Sequence, residues 1–80
     1  MKIPRDLTGS ELIKKLKKFD YLVTRQSGSH IRITTTLNGE HHLTIPNHNP
    51  LKIGTLSSIL NDVASHLKIS KDELLVKLFN

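Results

Sequence analysis

The amino-acid order predicts an α+β domain, with helices covering one face of a three-stranded antiparallel sheet, and three observations carry that expectation. Thr8 with Glu11, and Ser70 with Glu73, are capping-box patterns that open segments with apolar residues at helical spacing. Between them, Tyr21 to Gln26 is rich in β-formers, and two further strands follow: His30 to about Thr36, which alternates apolar with polar residues, and one that Pro46 ends. Asn38-Gly39 separates those two segments as a hairpin turn.

The first helix is expected from Thr8 to about Phe19, with Leu12, Ile13, Leu16 and Phe19 as its buried stripe. Lys14, Lys15, Lys17 and Lys18 then fall on or near the solvent side. They read either as a solvated helix face or as a contact for a polyanion.

Tyr21 to Gln26 forms the first strand and ends at a turn over Ser27-Gly28, which leads into the second strand at His30. Two registers compete across the next turn. A two-residue Asn38-Gly39 loop would pair Ile33 with Thr44 and Arg32 with Ile45, splitting the apolar residues between opposite faces. A three-residue loop, Leu37-Asn38-Gly39, with Gly39 left-handed in a G1 bulge, pairs Ile33 with Leu43 and Ile31 with Ile45. The second register is expected. It gathers His30, Arg32, Thr34, Thr36, Glu40, His42 and Thr44 on the outer face and leaves His41 on the inner face near Thr35.

Pro46 ends the third strand, and Asn47-His48-Asn49-Pro50 forms a loop to a second helix that begins near Thr55 as its N-cap. Leu56, Ile59, Leu60, Val63 and Leu67 give that helix its apolar stripe. A short terminal helix follows Ser70, and its Leu74, Leu75, Leu78 and Phe79 cover the same core. With no internal repeat, low-complexity segment or linker, residues 1–80 read as one domain. The outer face of the sheet stays open.

Eighty residues can bury one modest core but cannot also enclose a deep cavity, so any site is shallow. Twelve Lys and Arg against seven Asp and Glu give a formal charge of +5, with a sequence pI near 9.8. That balance favours a polyanionic or acidic partner. The absence of cysteine excludes a disulfide framework and a thiol nucleophile. Met1 to Asp6 lacks the apolar core of a signal peptide, and no stretch approaches the roughly 20 apolar residues that span a bilayer. A soluble cytoplasmic protein with no membrane association is expected. Only Phe19, Tyr21 and Phe79 are aromatic, and they are distant in sequence from the polar strand row. This argues against a base-stacking platform and for backbone or shape recognition.

The outer row sets an acid/base group, His30, beside a guanidinium, Arg32, and a hydroxyl, Thr34. Such a set suits work on a phosphodiester. His48 reads as a second proton carrier or as a loop cap, since Pro46 and Pro50 already account for a tight turn. Lys52 and the helix opening at Gly54-Thr55 offer a cation with free backbone amides, a phosphate-binding arrangement, although Thr55 serves as an N-cap in either case. Five histidines raise the question of a metal. Adjacent His41 and His42 point to opposite faces, no His-x-x-x-His pair sits on a helix, and no cysteine completes a tetrahedral set. No metal or other cofactor is expected, and His30 with His42 is the only pair worth testing. His66 reads as a space-filling or solvent-facing residue.

Gly28-Ser29-His30 at the turn into a strand, Pro46-Asn47-His48 after the third strand and Gly54-Thr55-Leu56 at the next helix occur in an order and spacing that resemble the HicA, or YcfA-like, toxins. The resemblance spans Leu12 to about Leu67. It implies a fold like the double-stranded RNA-binding domain. It also implies an mRNA-cleaving toxin of a type II toxin-antitoxin pair, neutralised by a HicB-type antitoxin bound over the active site, with His30 as the essential histidine. The Met1 to Asp6 arm and the helix after Ile69 go beyond the smallest members.

Metal-free ribonuclease chemistry needs a base for the attacking oxygen, an acid for the leaving oxygen and a cation for the phosphorane charge. His30 is expected to be the acid/base group and Arg32 the phosphate contact, with Ser29 or the Gly28 backbone for positioning. Lys52, Lys14 and Lys15 are expected as further RNA contacts, and His48 as a secondary acid/base group. The free chain is expected to be a monomer that joins a hetero-oligomer with its antitoxin. Two other functions compete: a non-catalytic module that binds structured RNA through the helix lysines, and an adaptor whose open sheet face takes a protein partner.

Overall fold

The computed structural model describes residues 2–79. It has the order α1 (Gly9–Leu16), a 3₁₀ turn (Lys17–Phe19), β1 (Leu22–Ser27), β2 (His30–Thr35), β3 (His41–Pro46), α2 (Ile53–Leu67) and α3 (Lys71–Phe79). Met1, the start of the N-terminal arm, and Asn80, the end of the expected domain, lie outside the described residues. The three strands form one antiparallel sheet in the order β1-β2-β3. This is the α+β layout that the sequence predicts.

The capping box at the first helix is complete. The Glu11 amide donates to Thr8 Oγ1 at 3.1 Å, and Glu11 Oε1 accepts from the Thr8 amide at 3.0 Å. Those bonds hold the Glu11 carboxyl below its ordinary pKa. The α-helix stops at Leu16, and the 3₁₀ turn carries the chain to Asp20, whose φ of 64° reverses its direction.

The register between β2 and β3 is the expected one, with Ile33 opposite Leu43 and Ile31 opposite Ile45. Gly39 takes the expected positive φ and Asn38 shares it, while the strand pairing ends at Thr35 opposite His41. The first hairpin differs from expectation. Its loop is Gly28-Ser29, not Ser27-Gly28, because Ser27 pairs with His30 and Gly28 adopts φ 58° at the first turn position. A β-bulge also interrupts β1, so that Thr24 and Arg25 together face Arg32.

The second helix begins earlier than expected. Its N-cap is Lys52, with no side-chain cap, and Thr55 lies inside the first turn. Leu51 supplies the reason: its side chain is buried and its amide donates to the Leu7 carbonyl at 2.8 Å, fixing the chain just before the helix. In α3 one half of the expected capping box forms, from the Glu73 amide to Ser70 Oγ at 3.0 Å. The Glu73 carboxylate lies 4.0 Å from Lys77 Nζ.

The core joins Leu12, Ile13 and Leu16 of α1 to Ile31, Ile33, Leu43 and Ile45 of the sheet. Leu56, Leu60 and Val63 of α2 complete it with Leu74, Leu75 and Leu78 of α3. Phe19 and Leu67 are only partly buried at its margin. Two lysines of α1 and the 3₁₀ turn serve this packing: Lys15 Nζ lies 5.4 Å from the centre of the Phe79 ring, and Lys18 Nζ donates to the Lys77 carbonyl.

Candidate active site

Three chain segments meet at the His30 end of the sheet. The Gly28-Ser29 turn presents His30 as the first residue of β2, opposite Pro46 of β3. The Asn47 amide donates to the Ser29 carbonyl at 2.6 Å, which ties the following loop to the hairpin. The same loop docks on the start of α1, where the Gly9 amide donates to the His48 carbonyl at 3.0 Å and Ser10 Oγ to Asn47 Oδ1 at 3.3 Å. A Cβ at Gly9 would stand 2.4 Å from the Pro46 carbonyl oxygen. Glycine is what permits this approach.

Alternation turns His30 outward because Ile31 is buried inward. His30 and His48 are both exposed, and among the described residues neither ring makes a hydrogen bond. The other three rings are occupied. On the inner side, His41 lies 2.6 Å from the Tyr21 hydroxyl through Nδ1 and 3.2 Å from Asp62 through Nε2. The His66 ring stacks on it at 4.3 Å and reaches the Leu37 carbonyl at 2.9 Å through Nε2. His66 therefore has a definite task, bridging α2 to the second hairpin. Burial and the Asp62 charge push the Tyr21 phenol up to about 12.

On the outer side, His42 is held between Glu40 Oε2 and Thr34 Oγ1, both at 2.8 Å. Both of its nitrogens are thereby engaged. Among the described residues no three His, Asp or Glu side chains group as metal ligands would.

Arg32 lies in the row next to His30, exposed, with Arg25 on one side and Thr44 on the other. Thr44 also lines a shallow groove of about 650 Å³ together with Lys52, Gly54, Thr55, Ser58 and Ile59. The first-turn amides of α2 open there without a side-chain cap, a setting that favours an anion. His30 and Arg32 thus share the outer face, Ser29 sits at its turn, and Lys52 borders the groove beside Thr44, the β3 partner of Arg32. Lys14 and Lys15 belong to the helical layer on the other side of the sheet, and Lys15 is engaged with Phe79.

A family model described as the HicA toxin of bacterial toxin-antitoxin matches residues 9–64. The chain belongs to the HicA toxin family. No curated protein and no solved structure gave a match. The HicA match begins at Gly9, includes both the His30 hairpin and the Asn47-His48 loop, and ends within α2, so α3 lies beyond it. Membership of a toxin-antitoxin family implies an antitoxin partner. No helix among the described residues is long and apolar enough to cross a membrane.

Two residues at this candidate site of the HicA-family chain escaped the sequence reading. Gly9 lay hidden as an ordinary first-turn residue, although glycine just inside a helix start is unusual enough to signal a close approach. Arg25 was displaced by the turn placed one residue too early; glycine at the first position of a two-residue Gly28-Ser29 loop is the signal that sets Arg25 opposite Arg32.

Proposed function

We propose that this HicA-family toxin is a metal-independent, ribosome-independent mRNA endoribonuclease in which His30 is the acid/base group. One observation carries the reading: His30 is an exposed, uncommitted imidazole on a braced hairpin, while His41, His42 and His66 are tied into hydrogen bonds. A proton carrier needs a free ring nitrogen and a fixed position. The Ser29 to Asn47 bond provides the second.

His30 takes the proton from the attacking oxygen and returns one to the leaving 5′-oxygen, while Arg32 offsets charge on the phosphorane. Ser29 positions the backbone at the turn, and Lys52 with the α2 amides holds a neighbouring phosphate. His48, on the same loop as Asn47, is the secondary proton carrier. Lys14 and Lys15 contribute long-range attraction without touching the reacting strand. A HicB-type antitoxin neutralises the toxin by covering this open side, in a hetero-oligomer that replaces the free monomer. The pair acts in the cytoplasm.

The test is a cleavage time course on a defined mRNA with EDTA present, comparing the wild type with folded His30→Ala. Cleavage by the wild type and a loss of about 10²- to 10⁴-fold in the variant, with RNA affinity retained, is the expected result. Equal cleavage by both would remove His30 from the chemistry. Salt-sensitive binding with no cleavage by either would leave an RNA-binding module.

A further inference from the structure

The outer face carries a pair of like charges that the fold does not neutralise. Arg25 of β1 stands directly opposite Arg32 of β2, and both are exposed. Among the described residues neither lies within ion-pair distance of a carboxylate, and Glu40, on the same face, is bound to His42. Like charges directly opposite each other in an antiparallel pair are destabilising.

The two-residue Gly28-Ser29 turn sets this pairing, and the bulge in β1 adds Thr24 to the same side. Thr24 Oγ1 lies 2.9 Å from Thr34 Oγ1 and 3.4 Å from the Arg32 carbonyl oxygen, so its side chain is on the outer side. Regular alternation from Arg25 would instead send Thr24 inward. The extra residue lets Thr24 and Arg25 both face Arg32 on the same side. Guarding an exposed sheet edge explains a charge or a bulge on β1. It does not explain setting that charge against a second cation.

We infer that Arg25 and Arg32 form a clamp for a single RNA phosphodiester, a subsite of the active site proposed above and dependent on that reading for its substrate. A phosphodiester between two guanidinium forks converts the repulsion into charge-assisted hydrogen bonds from both strands. Arg32 is two residues beyond His30, about 6.6–6.8 Å along the strand. The clamped phosphate is therefore within reach of His30 and is the one whose phosphorane charge Arg32 offsets. Thr44, on the far side of Arg32, continues the path toward Lys52. RNA crosses the strands along Arg25, Arg32, Thr44 and Lys52.

The experiment measures binding of a 2′-O-methylated RNA oligonucleotide by fluorescence anisotropy over a salt series, with cleavage of unmodified RNA followed in parallel. Wild type, Arg25→Ala, Arg32→Ala, the double variant and Arg25→Lys are compared as full chains. Each single alanine variant should weaken binding by about 10- to 100-fold, the range for charged hydrogen bonds, and flatten the salt dependence. The double variant should lose little more than either single one, because the two side chains share one phosphate. Arg25→Lys should recover only part of the affinity, since it restores charge without the fork. Thermal midpoints at or above the wild-type value would show that the losses are not unfolding.

Wild-type affinity in Arg25→Ala, strictly additive losses, or no affinity in the wild type would each overturn the clamp. Increased aggregation of Arg25→Ala with unchanged binding would assign Arg25 to edge protection and overturn it too. Cleavage separates the two ideas. A wild type that cleaves while Arg25→Ala binds normally loses the clamp and keeps the ribonuclease. Loss of binding in the arginine variants with no wild-type cleavage keeps the clamp and loses the ribonuclease.

Discussion

Tyr21 shows how one inward side chain ties an ionisation to the fold. Its hydroxyl meets His41 Nδ1 at 2.6 Å in a buried setting, and its pKa rises to about 12. Below pH 10 the phenol is protonated in folded and unfolded chains alike, so this group adds no pH slope. Between pH 10 and about 12 the unfolded chain ionises first, and stability falls as pH rises. Tyr21→Phe should abolish that part of the slope and cost about 1–3 kcal/mol at neutral pH by leaving His41 Nδ1 without its partner. Urea midpoints at pH 7 and pH 11 check both effects. Sequence alternation placed His41 on the inner face correctly. It could not reveal the Tyr21 and Asp62 contacts, which join residues 20 and 21 positions apart.

Where elements meet, the decisive feature is α1 seated on the loop after β3. Alanine in a helix is normally favoured over glycine by about 1 kcal/mol. At Gly9 the added Cβ would come within 2.4 Å of the Pro46 carbonyl, which is backbone and has no easy retreat. Gly9→Ala should therefore destabilise the protein by about 1–3 kcal/mol, the usual cost of overpacking, and slow cleavage by shifting the loop that braces Ser29. Chemical denaturation and the cleavage time course measure the two consequences. The elements themselves were legible where pattern was dense: both capping sites, the β2-β3 register and the helix stripes all follow from side-chain periodicity. The exceptions lie where backbone geometry governs. The β1 bulge leaves no mark in a strand whose residues are all exposed, and Leu51, not a capping side chain, sets the start of α2.

At the scale of the whole molecule the sheet separates two surfaces: a helical layer with the α1 lysines and an open face with His30, Arg25 and Arg32. The +5 charge draws a polyanion without choosing between them. Bound 2′-O-methyl RNA should perturb the NMR amide signals of Arg25, Ser29, Arg32, Thr44 and Thr55 while leaving those of Lys14 and Lys15 nearly unmoved. The reverse pattern would move the interface to the helices. The outer row and the α2 opening were readable from alternation and local motif, whereas the junction of Gly9, Ser29 and Asn47 required three distant segments to meet. The helix that seats that junction, α1, shares its core with α3. Leu74, Leu75 and Leu78 belong to the core, yet they follow every residue of the candidate site in the chain. The candidate site thus draws part of its support from a helix beyond the family match, and a chain shortened before Lys71 should show a lower urea midpoint.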